Sequence, residues 1–233
     1  LYGSCVEERI FDVARSLGLK IFEDSSQAHL AYFESGLPVG NYGEFSAYSF
    51  YPGKNLGGVG EGGILTTNEP DLYEYAKRFR NWGSSTRYIH EEFGLNYRMD
   101  EVQALVLREK LKMLEVWTRE RQRIASIYSE SMRNNEMVEL VNSLEGKPVF
   151  HQYVLRVRDR EAAMSFFQKS NIATSIHYPV PVHKQRALSG RFILGSSLNS
   201  TEELTSEILS IPIYPGMKKW QIEKVSEALS QCP

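Results

Sequence analysis

A lysine and an aspartate stand at positions from which they could do chemistry together. Lys54 lies in a glycine-rich segment just after an apolar run that predicts a strand, and Asp24 ends an earlier short apolar run. Ligands of α/β sheets bind at the carboxyl ends of strands, so we expect both side chains at one edge of a sheet. A lysine that forms a Schiff base and a carboxylate that keeps a pyridine nitrogen protonated are the two protein groups that pyridoxal phosphate (PLP) requires.

The glycine-rich segment also matches two generic nucleotide-binding motifs, and both interpretations fail. Residues 58–63 have the G-x-G-x-x-G spacing, but they lead into a predicted strand instead of following one and opening a helix. Gly53-Lys54 is similar to the end of a P-loop, yet Tyr48 occupies the position where that motif needs glycine. The lysine therefore needs another explanation.

The elements that must position these residues alternate between helix and strand. Ser4-Cys5-Val6-Glu7 has the pattern of a capping box that opens a helix, and Gly18 is expected to close that helix. The predicted helices span residues 6–17 and 70–80, and the predicted strands span residues 20–23, 45–50 and 63–67. This alternation is typical of an α/β sheet covered by helices.

After residue 100 the pattern changes to a long helical periodicity that continues to about Arg133. It predicts one long helix, or two helices joined by a kink. The elements predicted beyond it are strands at 149–157 and 172–177 and helices at 159–170, 201–209 and 218–230. We therefore predict a large-domain portion at residues 1–133 and a small α+β domain at residues 134–233.

Composition excludes several classes of function. The chain has 233 residues, with 27 basic and 29 acidic side chains and a net charge of −2, so no broad cationic field favours nucleic-acid binding. Its apolar stretches are too short to span a membrane, and no secretion signal precedes the first helix, which favours a cytoplasmic protein. The five histidines are too scattered to suggest a metal site, and two cysteines at opposite ends do not suggest a disulfide framework.

Five segments carry most of the remaining polar and aromatic motifs. They are Glu23–His29, Ser49–Gly57, Arg80–Gly83, Gly94–Ala104 and His177–His183. In this order they resemble the signature blocks of the DegT/DnrJ/EryC1/StrS family of nucleotide-sugar aminotransferases. The resemblance implies an aspartate-aminotransferase-like PLP fold (fold type I), with the large-domain portion followed by the small domain.

The resemblance also implies a set of cofactor-binding residues. By position, Lys54 is the Schiff-base lysine and Asp24 the partner of the pyridinium nitrogen, and these two are the expected catalytic residues. Gln27 is expected beside the phenolic oxygen of the PLP ring, and Ser49 is expected to bind its phosphate.

Further residues are implied by the later blocks. Asn96 matches the asparagine that, in family dimers, reaches the cofactor phosphate of the other subunit, so a homodimer with shared sites is expected. Tyr97 and Arg98 lie alongside it. His177 and Tyr178 match the stretch that lines the sugar-nucleotide pocket, so these four residues are candidates for substrate binding.

The implied reaction is transfer of an amino group, with glutamate as the expected donor, to a keto group of a nucleotide-linked deoxyhexose. The tripeptide Gln27-Ala28-His29 favours a 3-keto acceptor over a 4-keto one. A PLP-dependent sugar dehydratase is an alternative. In the dehydratase branch of the family the Schiff-base lysine is replaced, typically by His, so the presence of Lys54 disfavours this alternative.

Family members are longer at the N-terminus, so we expect this chain to be a fragment of a complete enzyme. We expect residues 1–233 expressed alone to bind the cofactor poorly. A truncated, noncatalytic binding or scaffold protein is the alternative.

Overall fold

The computed structural model describes residues 1–142 and 145–233, which form two compact units. Unit 1 contains Leu1, Gly3–Arg119 and the described residues 145–151. Unit 2 contains Tyr2, the described residues 120–142 and Gln152–Pro233. Each unit has its own three-stranded sheet.

The sheet of unit 1 consists of three strands in the order β1-β2-β3: β1 (Phe22–Asp24), β2 (Phe45–Ser49) and β3 (Gly63–Thr66). β1 pairs with β2 in parallel, and β3 runs antiparallel to β2. These are the three strands expected in this part of the chain, and with their flanking helices they confirm the predicted α/β class. Asp24 is the last residue of β1, and Ser49, the last residue of β2, pairs with Gly63 at the start of β3.

The helices of unit 1 are α1 (Arg9–Ser16), α2 (Pro70–Phe79) and α3 (Glu101–Leu111). Pro70 begins α2 as predicted, because its fixed φ suits a first helical position. Gly18 has φ +67° and follows the end of α1, where its N–H donates to Arg15 O at 3.0 Å, which confirms it as the helix stop.

The predicted capping box at the start of α1 is wrong. The helix begins at Arg9, and no side chain caps it. Glu7, which the motif needs as a partner for Ser4, forms an ion pair with Arg9 instead. The following Glu8 binds the backbone N–H of Ser35 at 3.1 Å. The two glutamates are therefore engaged elsewhere.

The long periodic segment forms two helices, α3 and α4 (Leu114–Ser131), as one of the two predicted alternatives. The division between the compact units lies within α4, at Arg119. The later part of α4 belongs to unit 2 because Arg121 donates to Ile213 O at 2.8 Å and Tyr128 donates to Pro212 O at 3.1 Å. The domain boundary at Arg133 remains a prediction.

Unit 2 is built on the antiparallel sheet β4-β5-β6. Its strands are β4 (Val138–Leu140), β5 (Tyr153–Val157) and β6 (Ile208–Ile211), and its helices are α5 (Arg160–Lys169), α6 (Asn199–Glu207) and α7 (Lys219–Gln231). α5 starts as predicted, because the Asp159 carboxylate accepts the N–H of Ala162 at 2.9 Å.

Two sequence-based expectations for unit 2 are wrong. Residues 172–177 do not form a strand and contribute a single bridge, between Ser175 and Ser210. The helix expected to reach residue 209 ends at Glu207, because Ile208–Ile211 is completely buried as β6 against β5. β4 and β6 were not predicted. Among the described residues, no helix is long and apolar enough to cross a membrane.

Candidate active site

One face of the unit 1 sheet brings the key polar residues together. In the β1–β2 register Asp24 is the partner of Ala47, and in the β2–β3 register Ser49 is the partner of Gly63. Register partners lie side by side on the same face, and residues two apart on a strand share a face. Asp24, Ala47 and Ser49 therefore line one face, on which Asp24 and Ala47 are exposed and Ser49 is half-buried.

The opposite face of the sheet is packed and fixes the end of β1. The Glu23 carboxylate, which points away from Asp24, accepts the backbone N–H groups of Gly40, Tyr42 and Gly43, each at 2.8 Å. Three hydrogen bonds to one carboxylate hold the strand end firmly. The position of Asp24 is thus set by contacts on the other side of the sheet.

Asp24 is held in its charged form. The backbone N–H of Ser26 donates to Asp24 Oδ1 at 3.1 Å. Hydrogen bonds from Ser26, followed by nearby positive charge that includes Lys54, hold the pKa of this carboxyl below its ordinary value. Asp24 is therefore a carboxylate at neutral pH.

Lys54 lies in the loop between β2 and β3. Its backbone N–H donates to Tyr51 O at 2.9 Å, which forms a tight turn, and Gly58 N–H donates to Phe50 O at 2.8 Å. Partial burial lowers the pKa of Lys54, while the charge of Asp24 acts in the opposite direction. A lysine with a lowered pKa is a better nucleophile at neutral pH.

Gln103 of α3, which sequence reasoning did not single out, fixes the far side of this loop. Its Oε1 accepts the N–H of Val59 at 2.8 Å, and its Nε2 donates to Glu61 O at 3.1 Å. A Cβ at Gly58 would lie 2.6 Å from Gln103 Oε1, so any larger residue there would force the glutamine side chain to shift. No local pattern reveals this, since Gln103 is 42 residues or more from its partners.

The environment of His29 was also not predicted from the sequence. It is 5% exposed and packs against the rings of Tyr48 and Phe50, with centroid distances of 5.3 and 5.9 Å. Neither ring nitrogen has a well-aligned hydrogen-bond partner among the described residues, although the Ser49 backbone lies near enough to favour protonation. Burial, together with the charge of Lys54, lowers the pKa of His29 to about 4, so the ring is neutral at pH 7.

The Asn96 segment presents its side chains to the surface of unit 1. Asn96 forms a β-bridge with Asn81, and the Arg98 guanidinium donates to Asn81 Oδ1 at 2.7 Å. The side chains of Asn96, Tyr97 and Arg98 are exposed. Gln27 is half-buried, three residues after Asp24.

His177 and Tyr178 belong to unit 2 and form a separate group. His177 Nδ1 lies 2.8 Å from Ser210 Oγ on β6, and the Tyr2 hydroxyl donates to His177 O at 2.7 Å. Burial lowers the pKa of His177, which favours the neutral ring, and Tyr178 is exposed.

The open sheet face in unit 1 fits the demands of PLP. A carboxylate for the pyridine nitrogen and a hydroxyl for the phosphate stand on the same face, and a lysine follows in the next loop. Between Asp24 and Ser49 lies the small methyl group of Ala47, whose β3 neighbour on this face is Leu65. Gly63, which lies beside Ser49, has no side chain, so the face is open next to that hydroxyl. The described residues contain no group of three or more His, Cys, Asp or Glu side chains that could hold a metal ion.

Among curated proteins, one similar sequence is the dTDP-3-amino-3,6-dideoxy-alpha-D-galactopyranose transaminase of Aneurinibacillus thermoaerophilus. It is 41% identical over 233 residues, which cover 99% of this chain and 63% of that protein. The chain therefore spans less than two thirds of the length of this relative.

Two solved structures also resemble the chain. The complex of Streptomyces venezuelae DesV with a ketimine intermediate has a TM-score of 0.93 and 37% identity, covering 99% of this chain and 62% of that one. NtdA from Bacillus subtilis, with bound cofactor PMP, has a TM-score of 0.88 and 28% identity, covering 100% of this chain and 55% of that one. The model of the DegT/DnrJ/EryC1/StrS aminotransferase family matches residues 1–230. The chain belongs to this family.

Proposed function

We propose that the complete protein is a PLP-dependent aminotransferase that passes the amino group of glutamate to a keto group of a nucleotide-linked deoxyhexose. The observation that carries the proposal is the open sheet face on which Asp24 and Ser49 flank Ala47, with Lys54 in the loop that follows. The names of the relatives support the aminotransferase reaction and the nucleotide-sugar class.

Four residues of unit 1 would hold the cofactor. Asp24 would bind the pyridine nitrogen, Ser49 the phosphate, Gln27 the phenolic oxygen and Lys54 the aldehyde carbon. When bound, PLP supplies an electron sink that stabilises negative charge on the substrate carbon next to nitrogen. Asp24 suits its role because its lowered pKa keeps it negative and able to favour a protonated pyridine nitrogen.

Lys54 would carry the proton that leaves and returns to the substrate carbon. Its Nζ can take up a proton from the substrate carbon and return it, because its lowered pKa brings neutral and charged forms closer together near neutral pH. Its turn is closed by the Tyr51 carbonyl, and Gln103 fixes the later part of the same loop, which limits where Nζ can reach. Such positioning matters because proton transfer needs near-contact distance.

The acceptor would be a 3-keto sugar nucleotide. Gln27 stands three residues after Asp24, next to the place of the cofactor ring, where side-chain shape helps decide how the hexose lies. The relative that is 41% identical is named for a 3-amino product, which supports this choice.

The active form would be a homodimer. Asn96 would reach the cofactor phosphate of the partner subunit, and Tyr97, Arg98, His177 and Tyr178 would contact the substrate. Exposed aromatic side chains near Asn96 support a covered surface here, since Tyr88 is 80% and Phe93 is 79% exposed in the single chain.

The test uses the complete protein. Borohydride reduction followed by peptide mass mapping should place a phosphopyridoxyl group on Lys54, and labelling elsewhere or none would overturn the cofactor assignment. Incubation with glutamate and matched 3-keto and 4-keto dTDP- and UDP-sugars, followed by NMR, should locate a new bond at C3. Amination only at C4 would refute the 3-keto choice and leave the aminotransferase proposal standing.

A further inference from the structure

Asn55, the residue that follows Lys54, is buried with both ends of its amide occupied. It is 7% exposed. Its Nδ2 donates to Val149 O at 3.2 Å, and its Oδ1 lies 3.2 Å from His151 Nδ1. These partners are more than 90 residues away in sequence but belong to the same compact unit. A buried amide that uses both its donor and its acceptor is held in one orientation.

The segment to which Asn55 is bonded is itself fixed. Val149 is fully buried, in a cluster that includes Phe11 and Phe33. Its N–H donates to Gly3 O at 2.8 Å, and Lys147 N–H donates to Tyr32 O at 2.7 Å. Since this segment is anchored by core packing and backbone hydrogen bonds, it can serve as a rigid support for Asn55.

The hydrogen bonds of Asn55 hold the backbone at the residue that follows Lys54. A lysine side chain has a flexible four-carbon stem, and ordering it costs side-chain entropy. Fixing the backbone of the next residue sets the direction in which the Lys54 stem leaves the chain. It also keeps the turn in its partly buried position. Gln103 restrains the other end of the loop, at Val59 and Glu61, whereas Asn55 is the side-chain restraint that adjoins Lys54 in sequence.

We propose that Asn55 is a positioning residue for Lys54, holding the lysine turn against Val149 and His151 and so fixing the place from which the amine acts. The inference rests on the proposed function in treating Lys54 as the reactive amine. The contacts that carry it are independent of cofactor and substrate.

The experiment measures Lys54 directly. The complete protein is treated with hydroxylamine to release any carbonyl compound held on a lysine. It is then acylated with acetic anhydride over a series of pH values, and Lys54 acylation is quantified by peptide mass spectrometry. In Asn55→Ala a loosened turn should admit water, so the midpoint of the Lys54 profile should rise toward 10.5, the ordinary pKa of a lysine.

Two further variants separate positioning from general destabilisation. His151→Ala removes one of the two bonds and should shift the midpoint in the same direction by less. His151→Asn can place an amide N–H where Nδ1 stands and should restore the wild-type profile. Asn135→Ala is the matched control, because this variant also removes two side-chain hydrogen bonds of an asparagine, but in unit 2, where Asn135 Nδ2 donates to the carbonyls of Leu229 and Cys232 at 2.9 Å.

An unchanged Lys54 midpoint in folded Asn55→Ala, or in His151→Ala if the former does not fold, would overturn the proposal. An equal shift in Asn135→Ala would also overturn it. Since the readout needs neither substrate nor turnover, failure of the aminotransferase proposal would leave this result interpretable.

Discussion

The charged groups of Asp24 and Lys54 lie close enough for each to shift the pKa of the other. Lys54 lowers the pKa of Asp24, and Asp24 partly offsets the fall that burial causes in the pKa of Lys54. Asp24 is the last residue of β1, and Lys54 lies in the loop that follows the neighbouring parallel strand β2. Their proximity places a fixed negative charge beside a lysine that is easier to deprotonate, on an open sheet face.

Replacing Asp24 by Asn should change Lys54 even without cofactor. The variant loses the charge that raises the lysine pKa, so the midpoint of Lys54 acylation should fall below the wild-type value. In the loaded enzyme we expect cofactor to be retained and turnover to drop sharply, because a neutral amide no longer favours a protonated pyridine nitrogen. A midpoint equal to that of the wild type would contradict the electrostatic link.

The need for a small side chain at position 47 can be tested by replacing Ala47 with leucine. Leucine at this exposed position should leave the fold intact and block the flat face between Asp24 and Ser49, so the complete protein should lose bound cofactor. Cofactor absorbance after dialysis and far-UV circular dichroism measure the two effects. Ala47→Ser should keep the cofactor, and Ala187→Leu, at an exposed site in unit 2, should have no effect.

Two glycines of the lysine loop should respond differently to alanine. A Cβ at Gly57 would lie 2.2 Å from Pro52 O, so Gly57→Ala must displace backbone and should cost about 2 kcal/mol or more of unfolding free energy. At Gly53 the added Cβ meets only the Tyr51 ring, at 3.5 Å, which is ordinary contact. Gly53→Ala should therefore be tolerated in urea unfolding, and equal losses in both variants would contradict the loop geometry.

His29 should make the protein less stable in acid. Its ordinary pKa of 6.5 falls to about 4 in the folded chain, so between these values the unfolded chain binds a proton that the folded chain does not. The stability contribution is complete above about pH 6.5 and is lost as the pH falls toward 4. His29→Phe should remove this loss, on the order of 3 kcal/mol at the acid limit. Urea unfolding of both proteins from pH 4 to 8 measures the difference, and parallel curves would contradict burial of a neutral ring.

Shared active sites predict complementation between inactive variants. Lys54→Ala and Asn96→Ala homodimers should each be impaired, whereas a hybrid dimer should have one site with both residues intact. After subunit exchange, random mixing should restore about a quarter of wild-type activity. If the mixture remains inactive once subunit exchange is verified by mass spectrometry, Asn96 does not contribute to the active site of the partner subunit.

Local sequence was enough to predict the elements that carry the chemistry. The strands before Asp24 and Lys54, the start of α2 at Pro70, the stop at Gly18 and the start of α5 after Asp159 depend on neighbours within a few residues. Periodicity, capping and turn chemistry operate at that range, so these features could be recognised along the chain.

Tertiary structure alone decided which distant groups meet. Ile208 and Leu209 fall at the end of a predicted helix but belong to strand β6, because this segment pairs with β5. Asn55, Gln103 and His29 acquire their roles from partners or burial that no local pattern encodes. Hydrogen bonds to backbone groups 40 or more residues away depend on how the chain packs, and packing is a property of the whole fold.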